Sequence, residues 1–283
     1  DGISKKDILA LDQLPNDNKL KNAVESQYYY DLSKINNAHA KFNNIFDDQG
    51  KMKLSPKVSD INYQDLRQGS TGDCYFLAAL TSLAQRSPQK IVEMVKDNKD
   101  GTFTVKFSDK SVTVKAPTDT ELGLYAEGKA WVPVIEKAYS VYRNETIFLS
   151  KENPYDKSGG GSMITGRGIK DLTGSNFDTD LLMATSADKT RAKLKSAVSN
   201  NKMMTASIAK NPFEKNSLGL PDGHVYSVIG YDEKTDKVKI RNPWGKTEAH
   251  DKSGNTRDGN DDGICELSMQ EFNKTFSAIA YQN

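Results

Sequence analysis

The chain has 283 residues, enough for one large core or two smaller ones, and its 36% apolar and 27% charged content fits a folded chain and excludes disorder throughout. Its 39 basic and 38 acidic residues leave a net charge of +1, so nucleic acid and anionic membrane are poor default partners. No apolar run approaches the roughly 18 residues of a membrane helix, and the two cysteines, Cys74 and Cys265, make neither a disulfide framework nor a Cys-x-x-Cys zinc site.

The chain opens at Asp1 with no initiator methionine and no signal peptide. It reads as a processed product or a fragment, and a secreted or cell-surface setting is favoured over the cytoplasm. Residues 1 to about 45 are polar and rich in Asn, Lys and Asp, with a helical stretch expected at 19–41. Residues 1–60 read as an N-terminal extension or pro-segment, or as an ordinary pair of surface helices.

From Ser70 the pattern sharpens. Phe76, Leu80 and Leu83 recur at helical spacing, with Leu77 and Ala84 widening the stripe, and the run holds good helix formers without internal Gly or Pro. This helix is expected to end near Ser87-Pro88, where Ser87 can cap a second helix that buries Ile91, Val92 and Val95. Thr102–Phe107 and Ser111–Lys115 alternate as a hairpin. Trp131–Tyr142 reads as a helix, Ser158–Ser162 as a flexible loop and Thr173–Asp180 as a linker. A helix over Asp188–Ser199 follows, with Leu194 and Val198 inward. Strands are expected at Met203–Ile208, His224–Tyr231, Lys237–Arg241 and Phe272–Tyr281, and Cys265 falls in another. A helical first part and a sheet-rich second part predict an α+β chain of two subdomains, divided as 61–180 and 181–283.

Cys74 sits at a helix start. The partial positive charge there, and a nearby imidazolium, favour the thiolate, which is the nucleophilic form. Of the three histidines, His39 and His250 lie in polar segments. His224 opens a strand, and 232–236 reads as a hairpin turn to the next. Folding about Lys234 sets residue 224 opposite 244, with 242 as a diagonal neighbour of the same parity. Asn242 can then accept a proton from one ring nitrogen of His224 and leave the other for the thiol. Trp244 can cover that bond from water. The Gln68 amide can donate to an oxyanion together with the Cys74 N–H, although Gln68 taken alone is a solvated turn residue.

At these residues the sequence resembles the calpain family of cysteine proteases. Gln68-Gly-Ser-Thr-Gly-Asp-Cys74-Tyr-Phe-Leu-Ala-Ala-Leu is similar to the family's nucleophile block, Gly223-His224-Val-Tyr-Ser-Val to its histidine block, and Ile240-Arg-Asn242-Pro-Trp244-Gly to its asparagine block. Further likeness lies in Trp131–Tyr139, Asp171–Gly174 and Asp262–Phe272. It runs from about Asp65 to the C-terminus, and the short, Asn- and Lys-rich form is nearest that of bacterial calpain-like thiol proteases. The resemblance implies a papain-like fold in two halves, one with Gln68 and Cys74, the other with His224 and Asn242. Gly223 and Trp244 are expected at a cleft that takes extended protein or peptide substrates.

The family likeness also implies calcium in each half. Asp65 matches an acidic ligand, whereas Arg167 and Lys170 stand where an acidic partner is expected. Asp258, Asn260 and Asp262 with Gly263 resemble the start of a calcium loop, but Met269 stands at its twelfth position and Ile264 replaces another ligand. A plain Asn/Asp/Gly surface turn is the alternative. The expected activity is that of a cysteine endopeptidase acting through an acyl-enzyme. The rivals are a papain-clan amidase or transferase, and an inactive calcium-dependent binding module. Oligomeric state, natural substrate and subsite preference leave no mark in the sequence.

Overall fold

A computed structural model describes residues 57–69, 71–143, 165–210, 216–251 and 253–283. The helix expected at 19–41 and the glycine loop at 158–162 lie outside the described residues.

Helix α1 (Cys74–Arg86) is buried on every side from Cys74 to Ala84. Such a helix belongs at the centre of a fold rather than on its surface. Its small residues let neighbours approach closely. A Cβ on Gly168 would lie 2.6 Å from Ala79 Cβ and 2.9 Å from the Tyr75 carbonyl oxygen, so only glycine fits where α5 (Arg167–Thr173) crosses α1. Helix α2 (Pro88–Met94) follows at once; Ser87 holds its N-cap position, but the hydroxyl makes no capping bond. Strands β1 (Val95–Asp97), β2 (Thr102–Lys106) and β3 (Ser111–Lys115) form a three-stranded antiparallel sheet with the expected hairpin at its end. Helix α3 (Asp119–Leu124) and helix α4 (Trp131–Tyr142) complete the first half.

The second half is a six-stranded antiparallel sheet, ordered β4 (Phe177–Leu181), β9 (Ala278–Gln282), β5 (Met204–Ile208), β6 (His224–Asp232), β7 (Lys237–Arg241) and β8 (Ile264–Ser268). Helices α6 (Ala187–Ser199) and α7 (Met269–Thr275) pack on it through Leu194, Ala197, Met269 and Phe272. Two expectations are corrected. Residues 177–181, read as linker, form an edge strand paired with β9, because Gly174 in the left-handed region ends α5 and turns the chain into the sheet. The C-terminal run is a helix followed by a strand: Ser268 and Glu271 form a capping box, and only from Ala278 does the chain extend.

The fold is α+β with two hydrophobic cores, helices dominating the first half and antiparallel sheet the second. One core gathers Phe76, Leu77, Leu80, Trp131, Ile135 and Tyr139. The other gathers Tyr226, Val228, Ile240, Leu267 and Phe272. Helix α1 stands against β5 and β6, where Ser227 Oγ donates to the Ala78 carbonyl at 2.7 Å and Met204 N–H donates to Ser82 Oγ at 3.2 Å. A buried guanidinium makes a second link, since Arg241 Nη2 donates to the carbonyls of Gln64, at 3.0 Å, and Leu66.

Candidate active site

Cys74 is the first residue of α1, and His224 is the first of β6. Both are buried, and the Cys74 sulfur takes a hydrogen bond from the N–H of Val225, the residue after His224. The central helix and the sheet thus meet at these two side chains.

His224 Nε2 lies 2.9 Å from Asn242 Oδ1. The Asn242 amide orientation is set by two further bonds. Its Oδ1 accepts from Trp244 N–H at 3.0 Å, and its Nδ2 donates to the Thr247 carbonyl at 3.1 Å. An acceptor oxygen facing Nε2 makes Nε2 the protonated nitrogen and leaves the Nδ1 lone pair free to take a proton. The indole of Trp244 packs on the imidazole, with centroids 4.6 Å apart, and Tyr226 meets it edge-on at 5.0 Å. Trp244 is half-buried, and Gly223 (φ +60°) makes the turn into β6 beside it.

A β-bulge brings this pair together. Near the turn β6 and β7 pair as Asp232 with Lys237 and Gly230 with Lys239; beyond Ile229 the register shifts to Val228 with Ile240 and Ser227 with Arg241. Without the shift Asn242 would fall level with Ser227 and face the opposite side from His224. The carbonyl of Ile229 accepts from Gln85 Nε2 at 2.8 Å and Arg86 Nη2 at 3.2 Å, both on α1. The helix carrying Cys74 therefore also holds the bulge that aligns His224 and Asn242.

The electrostatics correct the expectation of a ready thiolate. Burial pushes the Cys74 thiol up to about 12, and the neighbouring Asp73 charge raises it further against the N–H bonds that favour the thiolate. Burial also pushes the His224 imidazole down to about 4, against the Asn242 bond that raises it. The helix start is present, but removing both charged forms from water outweighs it. Burial therefore works against the charged form of both Cys74 and His224.

Gln68 lies in the loop before α1, and its N–H donates to the Pro243 carbonyl at 2.7 Å. That bond ties the Cys74 loop to the Asn242 loop. The Gln68 side-chain Nε2 donates to the Thr71 carbonyl at 2.6 Å, which leaves one amide hydrogen for another acceptor.

The expected calcium ligands are not gathered into one cage. Among the described residues no group of three or more His, Cys, Asp and Glu side chains is set to hold a metal ion. Asp65 Oδ1 accepts from Asn62 Nδ2 at 3.1 Å, and Asp65 presents no buried orphan oxygen. Exposed Asp258 accepts from the Asn260 N–H at 2.9 Å and exposed Asp262 from the Ile264 N–H at 2.9 Å. Sequence reasoning missed the residue beneath this loop. Glu248 is buried, and its Oε1 accepts from the N–H groups of Asp262, Gly263 and Ile264. Its Oε2 is buried without a partner, and burial, with Asp258 and Asp262 adding repulsion, holds the carboxyl up to about 7. An orphaned carboxylate oxygen beneath two acidic residues fits a hard cation. Nothing in the spacing of Lys246–His250 marks Glu248.

A second missed feature is a pair of buried, interacting carboxyls, Asp73 and Glu136, beside the nucleophile's helix start; both Asp73 oxygens and Glu136 Oε1 lack a donor among the described residues. A glutamate inside the otherwise apolar face of Trp131–Tyr142 was the available signal.

A model of the calpain family cysteine proteases matches residues 17–280, so the chain belongs to the calpain family. Calpain-9 of Mus musculus is 26% identical over 209 residues, covering 65% of this chain and 29% of that protein. Calpain-type cysteine protease DEK1 of Arabidopsis thaliana is 28% identical over 206 residues, covering 65% of this chain and 9% of that protein. Calpain-5 of Mus musculus is 27% identical over 234 residues, covering 68% and 35%. The chain thus spans about a third or less of the length of these relatives. The family match begins upstream of Asp65, where the motif likeness starts. No helix among the described residues is long and apolar enough to cross a membrane.

Proposed function

We propose that this chain is a cysteine endopeptidase in which Cys74 is the nucleophile, His224 its proton acceptor and donor, and Asn242 the residue that orients the imidazole. The observation that carries this reading is the 2.9 Å bond from His224 Nε2 to Asn242 Oδ1, made at the sheet edge that meets the Cys74 helix start. From the neutral pair, the thiol proton moves to His224 Nδ1 as sulfur attacks the peptide carbonyl. The Cys74 N–H and the remaining Gln68 amide hydrogen stabilise the oxyanion. His224 then protonates the leaving amine, and afterwards takes a proton from the water that releases the acyl group. Gly223 and Trp244 flank His224 as the cleft wall for an extended protein or peptide substrate.

The test is Cys74→Ala against the parent with an unfolded protein substrate. Loss of cleavage in the variant, and new peptide N-termini with the parent, support the reading. Equal cleavage by both sinks the nucleophile assignment, and products without new peptide N-termini make it an amidase or transferase. If a peptide-like thiol reagent fails to label Cys74 with calcium present, the inactive binding module replaces both.

Calcium regulation belongs to the same reading. Glu248 and Asp262, with Asp258 and Asn260 beside them, would hold the ion in the second half. A bound cation there would neutralise the crowded carboxylates and stiffen the loop whose Gly263 carbonyl accepts the Asn242 N–H. Asp65 fits such a role less well, with its carboxylate turned to Asn62. We assign residues 61–180 and 181–283 as the two subdomains and residues 1–60 as an extension or inhibitory pro-segment. Unchanged activity and stability after deleting 1–60 would remove the inhibitory role.

A further inference from the structure

The Asp73–Glu136 pair has no part in the chemistry above, yet it touches both ends of the oxyanion loop. Asp73 stands at the N-cap position of α1 but makes no side-chain capping bond. Its carboxyl turns instead to Glu136 of α4. Glu136 Oε2 accepts from the Ala126 N–H at 2.5 Å, and the Thr71 side chain also bonds to Glu136. Thr71 in turn accepts the Gln68 amide at 2.6 Å. One buried glutamate therefore anchors the residue that holds Gln68 and the residue that precedes Cys74.

The pair cannot carry two charges where it stands. Asp73 and Glu136 are 1% and 0% exposed. No cationic group among the described residues acts on either carboxyl. The groups that feel them are acidic or neutral: Cys74 and Tyr75 on the same helix, and Tyr125, which also faces Glu121. Two carboxyls in contact without a counter-ion hold one proton between them, and the charged–neutral hydrogen bond is stronger than a neutral one.

We propose that Asp73 and Glu136, sharing one proton, are positioning residues that hold the Thr71–Cys74 turn so that the Gln68 amide and the Cys74 N–H converge on one oxyanion. The inference rests on the peptidase reading for its catalytic consequence but not for its proton. Loss of that proton sets two carboxylates against each other and pushes the turn open. Burial raises both carboxyls above their ordinary values, and the last proton is the harder to remove because the Glu136 charge then faces Asp73, so the opening belongs to the alkaline range. Because the folded state holds that proton more tightly than the unfolded chain, this stabilisation is present at acid pH and lost as pH rises into the alkaline range.

The experiment compares the parent with Glu136→Gln, Asp73→Asn and Glu136→Ala, reading kcat, KM and melting temperature from pH 6 to pH 9.5. An amide at either position keeps the hydrogen bond without a proton to lose. Glu136→Ala is expected to lower kcat roughly 100-fold, the scale of losing one oxyanion donor, with KM little changed. Glu136→Gln should recover most of that loss. Both amide variants should lack the alkaline fall in kcat and in melting temperature that the parent shows. Equal kcat losses in the Gln and Ala variants, or an alkaline fall unchanged in both amide variants, overturns the proposal. If Glu136→Ala does not fold, the amide variants alone decide. If the parent cleaves nothing, the peptidase reading fails, and the melting curves still show whether the pair shares a proton.

Discussion

Arg241 offers a sharp test of how the two halves are joined. Its guanidinium is fully buried, makes no ion pair with a carboxylate among the described residues and donates to the carbonyls of Gln64 and Leu66 from the strand that leads into Asn242. Burial pulls it down to about 10. Arg241→Met leaves two buried carbonyls without donors, at about 1–3 kcal/mol each. It also removes a buried charge whose desolvation costs several kcal/mol, so the net loss is about 2 kcal/mol. Arg241→Lys keeps the charge on a shorter side chain, and its ammonium is more strongly hydrated than a guanidinium and so costs more to bury, so a loss of about 4 kcal/mol is expected. The stability order should therefore be Arg, then Met, then Lys, although lysine is the conservative exchange. Urea unfolding followed by tryptophan fluorescence can read each half, because one of the two tryptophans, Trp131, lies in the first core and the other, Trp244, beside His224. A lysine variant as stable as the methionine variant would refute the argument from desolvation.

Three other outcomes follow from the site. Asn242→Ala removes the acceptor for the His224 Nε2–H and the Trp244 N–H, and should lower kcat by roughly 100-fold or more through lost imidazole orientation. A kcat within a few-fold of the parent would remove Asn242 from the mechanism. Since burial holds the thiol up to about 12 and the imidazole down to about 4, alkylation of resting Cys74 should accelerate about tenfold per pH unit between pH 6 and pH 9. A flat rate from pH 5 upward would mean a stable thiolate–imidazolium pair instead. Calcium titrated calorimetrically should bind more tightly as pH rises through about 7, because the ion displaces the Glu248 proton, and Glu248→Gln should weaken binding. No binding heat in the parent, with no change in melting temperature on chelation, would take calcium out of the account.

Much of the fold was legible in local pattern. The stripe Phe76, Leu80, Leu83 and the run Trp131–Tyr142 gave helices within a residue of the observed Cys74–Arg86 and Trp131–Tyr142. Alternation gave β2, β3 and β7. The edge strand at 177–181 was hidden because its partner β9 lies about a hundred residues away in sequence, and pairing at that distance leaves no local period. Glu248 and the Asp73–Glu136 pair were hidden for a related reason. A carboxylate has the same letter whether solvated or buried, and only packing decides which.

Cys74 at a helix start, His224 opening a strand and Asn242 ending the next are properties of the sequence itself, carried by periodicity and by a short turn. Folding about Lys234 places 224 opposite 244, the register that the Ser227–Arg241 and Val228–Ile240 pairs continue, but the sequence could not state the extra residue at Ile229 by which the strands reach it from the Asp232–Lys237 turn. The tertiary structure supplies it, because Gln85 and Arg86 on the Cys74 helix hold the Ile229 carbonyl and keep the bulge in place. Nor could the sequence state the charge at the site. A helix start argues for a thiolate, but the depth at which α1 meets the sheet works against the charged forms of Cys74 and His224, because desolvation outweighs the N–H bonds at the sulfur.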